Sequence, residues 1–393
     1  MYYHDEWTKA QREHVIATMA GHYQYTVGAA LHPLDDDGLT AGVPIPAIID
    51  GQINGGGRSP VYALTVLDHD RTLRQVEGIN AAQHLMRIGM SVLTPTYGWL
   101  TFPLHVGNVD ICNRDGDQVT LSGRNKSALL QFQVAEPFVI PAGTRITEAI
   151  RLVAIAGGEV RGNMAIPDRP QELHEDYPVR RINFAGFAKP TVSIDRDDED
   201  RTPITVWWMM QDLASNLDDF MLYYNQGGKL IGRRIPVVPA YTFEGYTDGS
   251  YLTPPGPALS ADFTDFHNVV EVYYRSAGTP PVIEAFDPSH RLSARSLAWH
   301  GVVRPRVLSV LNYKIKAKRT AVARAHDLLE AEAQHVVNVT AACKRFPWME
   351  WRDVYQFNST DYTNATTVNT WTMDLAPGVD MTLGWSDYRT RGI

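Results

Sequence analysis

Apolar and polar positions along this 393-residue chain fall mostly into short runs of period two, broken by a few stripes of helical period. Residues 5–20 place Trp7, Ala10, His14 and Thr18 on one helical face, with Gly21 set to end the helix. Residues 22–27 alternate as a strand, and residues 31–42, which hold Asp35, Asp36 and Asp37, read as an exposed loop. Two β-rich pieces, 45–53 and 61–68, flank Gly55, Gly56 and Gly57 and predict a hairpin, because glycine supplies the positive φ that tight turns need. Strand patterns follow at 99–106, 108–113 and 118–123, the last two joined across Asp115 and Gly116. Residues 22–123 therefore predict one antiparallel unit, a barrel or sandwich of short strands.

The next segment changes period. Thr144 is positioned to cap a helix carrying Ile146, Ala149, Ile150 and Val153 on one face and ending at Gly157 and Gly158. Residues 166–203 are rich in proline and charge, close on an acidic run from Asp195 to Asp200, and read as a linker. A second helical stretch, TVWWMMQDLASNL, leads into DDFMLYY, a turn at Gly227 and Gly228, and KLIGRRIPVV, the pattern of a hairpin. Residues 268–276 and 281–287 form another strand pair. Thr320 can cap a helix running to Gln334 with Val322, Ala325, Leu328 and Leu329 inward. A strand with Val337, Val339, Ala341 and Cys343 on one face comes next, then strands in RDVYQFN, TVNTWTMDL and MTLGWSDY.

These elements predict an α+β, β-dominated, multidomain chain. Its expected parts are an N-terminal helical arm (1–21), a first β-barrel domain (22–125), an α/β insert with its acidic linker (126–202), a helix-plus-antiparallel-sheet domain (203–295) and a second β-barrel domain with one packed helix (296–393).

Composition supports order throughout: 44% of residues are apolar and 20% charged, far from the signature of disorder. A net charge of −8, without a block of Lys or Arg, argues against tight nucleic-acid binding. It suits a surface that nucleic acid passes without sticking, although ordinary solubility is the commoner reason for such a charge. The two cysteines, Cys112 and Cys343, build neither a disulfide framework nor a thiolate metal site. The polar N-terminus lacks the layout of a secretion signal, and no apolar run nears the roughly 18 residues of a membrane span, so synthesis and folding in the cytoplasm with no membrane anchor are expected.

Candidate chemistry dissolves on inspection. The glycines from Gly51 to Gly57 are followed by neither Lys-Ser nor Lys-Thr, so they are not a phosphate loop, and Gly157, Gly158 and Gly162 follow a helix where a dinucleotide fingerprint follows a strand. His174 and Glu175 lack a second histidine at helical spacing, and Asp195, Asp197 and Glu199 lack the glycine and distal Glu of a calcium loop. No serine sits in a Gly-x-Ser-x-Gly elbow. The aromatic pairs Trp207-Trp208, Tyr223-Tyr224 and Tyr273-Tyr274 could stack on sugar, although packing is the commoner use of such pairs. Asn-x-Ser/Thr triplets at Asn125, Asn338, Asn358 and Asn364 are read as chance. No catalytic, cofactor-binding or metal-binding residue is assigned.

The order of four segments resembles that of phage tail-tip and baseplate-hub proteins. They are IIDGQINGGGRSPVYALTVLD; DGDQVTLSGRNKSALL with VIPAGTRITEAIRLVAIAGG; TVWWMMQDLASNLDDFMLYYNQGGKLIGRRIP; and the series from NVVEVYYRS to KRFPWMEWRDV, where Asn268, Asp287, Pro288, Gly301, Leu329, Pro347 and Asp353 match. The resemblance implies a non-enzymatic structural virion protein with two tail-tube-like β-barrel domains per chain, three copies of which form a ring at the distal end of a phage tail. Such a homotrimer joins a six-fold tube to a three-fold tip and closes or opens the channel for genome ejection. Its implied partners are itself, the distal tail ring, the C-terminus of the tape-measure protein and tip or central-fibre proteins, with genome DNA only in passage and no cofactor. With no fibre or lytic region after residue 393, receptor binding and wall cleavage are expected of other chains. The competing readings are a tail-associated glycan or peptidoglycan hydrolase and a carbohydrate-binding virion module.

Overall fold

The computed structural model describes residues 7–34, 42–56, 60–76, 83–132, 136–179, 205–217, 219–245, 250–254, 256–261, 267–274, 280–286, 305–312, 337–359, 362–376 and 380–386, with Leu39, Asn80, Val134, Ser293, Lys318 and part of a helical run at 321–329. Two compact units emerge. The first comprises residues 1–254 and 342–383; the second comprises 255–341 and 384–393.

The first unit opens with helix Lys9–Ala20, started by a capping box in which Thr8 and Gln11 satisfy each other's backbone N–H groups. This cap sets the helix phase so that Val15 and Met19, and not Ala10, face inward. Trp7, just before the cap, packs edge-on against Phe102 at 5.5 Å.

Four strands then make one antiparallel sheet in the order Val43–Pro44, Gln24–Pro33, His84–Thr94, Gly98–Asn108. The long strand His84–Thr94 went unpredicted. Gly89 and Arg87 interrupt its apolar pattern, yet it pairs along its length on both sides. A second sheet runs Met381–Ser386, Thr370–Asp374, Ile48–Gly56, Val61–Leu67, Gln118–Arg124, Ile111–Asp115. The 48–56 and 61–67 strands form the predicted hairpin, but C-terminal strand Thr370–Asp374 flanks them. In the 111–124 hairpin Asp115 pairs with Gln118, so the turn residues are Gly116 and Asp117, with Gly116 supplying φ +61°. The two sheets meet at a bridge between Gly107 and Asn125.

Between the sheets lie Tyr62, Leu64, Val66, Ile88, Met90, Phe102, Val119 and Leu121, all buried. A run of rings extends this core. Trp348 lies 5.6 Å from Phe102, and Phe346 joins Trp348 to Phe243, Tyr251 and Tyr355. Phe243 stacks on Phe357 through the parallel pairing of Tyr241–Glu244 with Val354–Asn358. Among the described residues no sheet closes into a ring, so the architecture seen is β-dominated α+β, without the closed barrels that were expected.

A helical layer is packed into the same unit. Helix Ile146–Ala156 buries Ile146, Ala149, Ile150 and Val153 as predicted, but its N-cap is Arg145 without a side-chain bond, while the Thr144 hydroxyl donates to the Pro141 carbonyl at 2.8 Å. Helix Val206–Ala214 is capped by Thr205, and hairpin Phe220–Tyr224/Leu230–Arg234 follows. One core holds both helices, the hairpin's Phe220, Leu222, Tyr224 and Leu230, and Ile166 and Val179. Within 166–179 Ile166 and Val179 are buried and Tyr177–Val179 pairs antiparallel to Phe138–Ile140, while most of the positions between them are exposed. The linker's acidic run, Asp195 to Asp200, lies outside the described residues.

In the second unit Ala258–Ala261 pairs with Val337–Cys343. A three-stranded sheet places Val269–Tyr274 between Val282–Ala285 and Pro305–Asn312. Val270, Val272 and Val282 bury against Ala321, Ala325 and Leu329 of the predicted helix; Thr320 and Leu328 lie outside the described residues.

Candidate functional site

Strand Phe220–Tyr224 is buried at every position, and its period of two sends alternate side chains to opposite faces. Phe220, Leu222 and Tyr224 enter the helical core. Tyr224 also donates its hydroxyl to Glu159, a buried carboxylate that lies 3.4 Å from the Lys126 ammonium and accepts the Asn163 amide at 3.0 Å. Tyr223 faces the other way, beneath the Arg233 guanidinium at 5.3 Å. Arg233 donates to Asp353 at 2.6 Å and lies 3.5 Å from Glu350. Asp353 is 1% exposed and also accepts the Tyr355 hydroxyl at 3.2 Å. Burial pushes the Glu350 carboxyl up, and the same burial keeps Tyr223 and Tyr355 protonated.

A cavity lies beside this ion cluster. Its walls come from the ends of the 48–56 and 98–108 strands, the hairpin turn at Asn225 and Gln226, and the segment Met349–Trp351, with Trp371 behind. Trp371 requires glycine opposite it: a Cβ on Gly55 would sit 1.9 Å from the indole. Gly107 is equally constrained, since its Cβ would lie 2.0 Å from the Arg124 carbonyl oxygen and 2.6 Å from His105 Nε2. His105 is buried, and loss of water drives its imidazole down to about 3 despite the Arg124 carbonyl. It is neutral at ordinary pH.

The outer face of the larger sheet has a different character. Burial alternates so that Ile53, Tyr62, Leu121 and Trp371 point inward, and Gln52, Asn54, Ala63, Thr65, Thr120, Asn113 and Thr372 point outward. Side chains interlock across strands: Gln52 donates to Asp374 at 2.9 Å, Asn54 to Gln52 at 3.0 Å and Thr372 to Asn54 at 2.8 Å. Among the described outward positions of strands 48–56, 61–67, 111–115, 118–124 and 370–374 there is no lysine and one arginine, Arg124, which is held by Asp110 at 2.8 Å. An ordinary solvated face carries roughly a quarter to a third charged residues of mixed sign. In this one the charges are Asp50, Asp115, Asp374 and Arg124, so the face is lysine-free and net negative.

The residues weighed in the sequence are scattered. Trp207 is buried and stacks on Tyr224 at 5.9 Å, Trp208 is 46% exposed, and the side chains of Tyr273 and Tyr274 lie outside the described set. His174 and Glu175 gather no third metal-binding group, and no such cluster exists among the described residues. Cys112 is half-buried; burial raises the thiol of Cys343 far above its ordinary value. Asn268 and Leu329 are buried, Asp353 anchors Arg233, and Asp287, Pro288 and Gly301 lie outside the described residues. Sequence reasoning missed His105, Gln226, Arg233 and Glu350. For Arg233 a signal existed: by period two it shares a face with Ile231, and it stands opposite apolar Met221 of the partner strand.

The sequence matches no protein-family model and no curated protein. Its fold is shared by solved structures. The tail protein from Neisseria meningitidis MC58 superposes with a TM-score of 0.58 at 10% identity, over 92% of this chain and 96% of that one. The 43 kDa tail protein of prophage MuSo2 from Shewanella oneidensis gives 0.58 at 12% identity, over 92% and 98%. A chain of the Francisella PdpA-VgrG complex gives 0.52 at 7% identity, over 94% of this chain and 53% of that one. The chain therefore has the fold found in phage tail proteins.

Proposed function

We propose that this chain is a structural virion protein of a phage tail, and that three copies form a hub ring at the tail's distal end. The observation that carries this reading is the likeness to two tail proteins over nearly the whole of both chains. In such a ring the strands of the two sheets serve as barrel-like walls and the helical layer projects from them. The ring joins a six-fold tube to a three-fold tip, and its partners are sister copies, the distal tail ring, the end of the tape-measure protein and tip or fibre proteins. The lysine-free, net negative outer face of the larger sheet suits the axis. DNA leaving the tail meets no free cation there, and so gains no phosphate contacts that would hold it.

The role is mechanical and not enzymatic. A glycosidase needs two carboxyls facing a substrate across an open cleft. Glu350 and Asp353 are instead buried and both paired with Arg233, which does not suit that use.

Cryo-electron microscopy of particles carrying this chain tests the proposal. Three copies around the tail axis, at the tip, are expected. Copies on the head, copies along the whole tube, or absence from the particle would each refute it.

A further inference from the structure

Two apolar surfaces of the first unit are left uncovered in a single copy. One is the loop 235–240. After Ile235 it reads Pro-Val-Val-Pro, and Val237 and Val238, 86% and 70% exposed, are the most exposed large apolar side chains among the described residues. The loop is held at both ends: the Ile235 N–H donates to the Asp219 carbonyl and the Ala240 N–H to the Val354 carbonyl, each at 2.7 Å. Pro236 and Pro239 fix φ between those anchors, so little chain entropy is left to lose when the valines are covered.

The other surface lies at the turn joining strands His84–Thr94 and Gly98–Asn108. Leu93 pairs directly with Trp99, and Tyr97 precedes Trp99 by two residues; all three are exposed, Trp99 by 51%. The Thr94 hydroxyl donates to the Gly98 carbonyl at 2.9 Å and accepts the Tyr97 N–H at 3.2 Å, which fixes the turn, and His14 packs edge-on against the Tyr97 ring at 5.3 Å. Neither surface carries charge: residues 88–109 and 235–243 contain no Asp, Glu, Lys or Arg, in a chain where these make up 20%. Charge is depleted and aromatic residues are enriched at the cores of protein interfaces, and Pro-x-x-Pro segments are received by exposed aromatic rings.

We propose that these two surfaces meet between sister copies, the 235–240 loop of one copy seated on Leu93, Tyr97 and Trp99 of the next. The inference rests on the ring reading of the proposed function. Loop and aromatic patch are different parts of one chain, so each copy gives one and receives the other, and a head-to-tail contact of this kind generates a ring when its rotation closes. Half-exposed, Tyr97 and Trp99 offer roughly 200 Å² of ring surface, against roughly 800 Å² per partner in a stable pair. The contact therefore works within an assembled ring and does not by itself hold two free chains together.

A photoreactive benzophenone amino acid in place of Trp99, in particles carrying the full chain, is expected to yield a covalent dimer whose linked peptide contains Val237 or Val238. Val237→Asp together with Val238→Asp should lower incorporation of the chain into particles at least about tenfold, while the purified variant melts where the wild type does, because both side chains are exposed. Three copies at the tip with photolinks that map elsewhere, or full incorporation of the double-Asp variant, would overturn the contact and leave the ring reading standing. Wild-type chain located away from the tip would refute the ring reading and this contact together.

Discussion

Single positions in this molecule are constrained by what lies within 3 Å of them. Gly107 faces a backbone oxygen that cannot swing aside, so Gly107→Ala must shift the bridge to Asn125 and is expected to cost about 3 kcal/mol in denaturant unfolding, the upper end for overpacking. Gly28, also in a strand, has open space where its Cβ would be, and Gly28→Ala should stay within about 0.5 kcal/mol. His105 titrates near 6.5 when unfolded and near 3 when folded. Between those values the unfolded chain binds more protons, so stability declines as pH falls from 6.5 towards 3, by up to about 1.4 kcal/mol per pH unit for this one site. His105→Asn should flatten that slope in urea titrations taken across the interval.

Elements depend on their caps and on their buried charges. Thr205 accepts the Trp208 N–H at 3.1 Å to start its helix, and Thr205→Ala should lower stability by about 1 kcal/mol, read as a fall in Tm. Arg233→Met should cost more, about 3 kcal/mol, because it breaks a buried ion pair whose carboxylate partner, Asp353, is 1% exposed. Asp353→Asn introduced with it should recover part of the loss. At this scale the sequence was informative wherever period and punctuation agreed. Helix 146–156 has an unmixed apolar face and a glycine end, the 220–234 hairpin turns at Gly227 and Gly228, and strand 61–67 alternates cleanly with Tyr62, Leu64 and Val66 inward. It was uninformative where local pattern and partner disagreed: strand 84–94 is held by neighbours on both sides in spite of Gly89, and the short strand Tyr177–Val179 exists only through its pairing with Phe138–Ile140.

For the whole molecule, the proposed role makes the outer face of the larger sheet a surface that must not bind DNA. Gln52→Lys, Thr120→Lys and Thr372→Lys, introduced together at outward positions of three strands, should create salt-sensitive retention of duplex DNA in gel-shift assays at low ionic strength. The wild-type chain should show none. Retention by the wild type, or none by the triple variant, would contradict the reading of that face. The resemblance drawn from four ordered sequence segments agrees with the fold likeness, though no segment alone specifies it.

By itself the sequence determined the β-dominated class, the places of three helices and most hairpins, because side-chain period and turn glycines act within a few residues. It also determined the absence of a basic stripe. The tertiary structure alone decided that strand 370–374 flanks strand 48–56, that Arg233 meets Asp353, and that His105 and Gln226 share a void. Those contacts join residues more than a hundred positions apart, and their energies come from burial and desolvation, which exist only once the chain has packed.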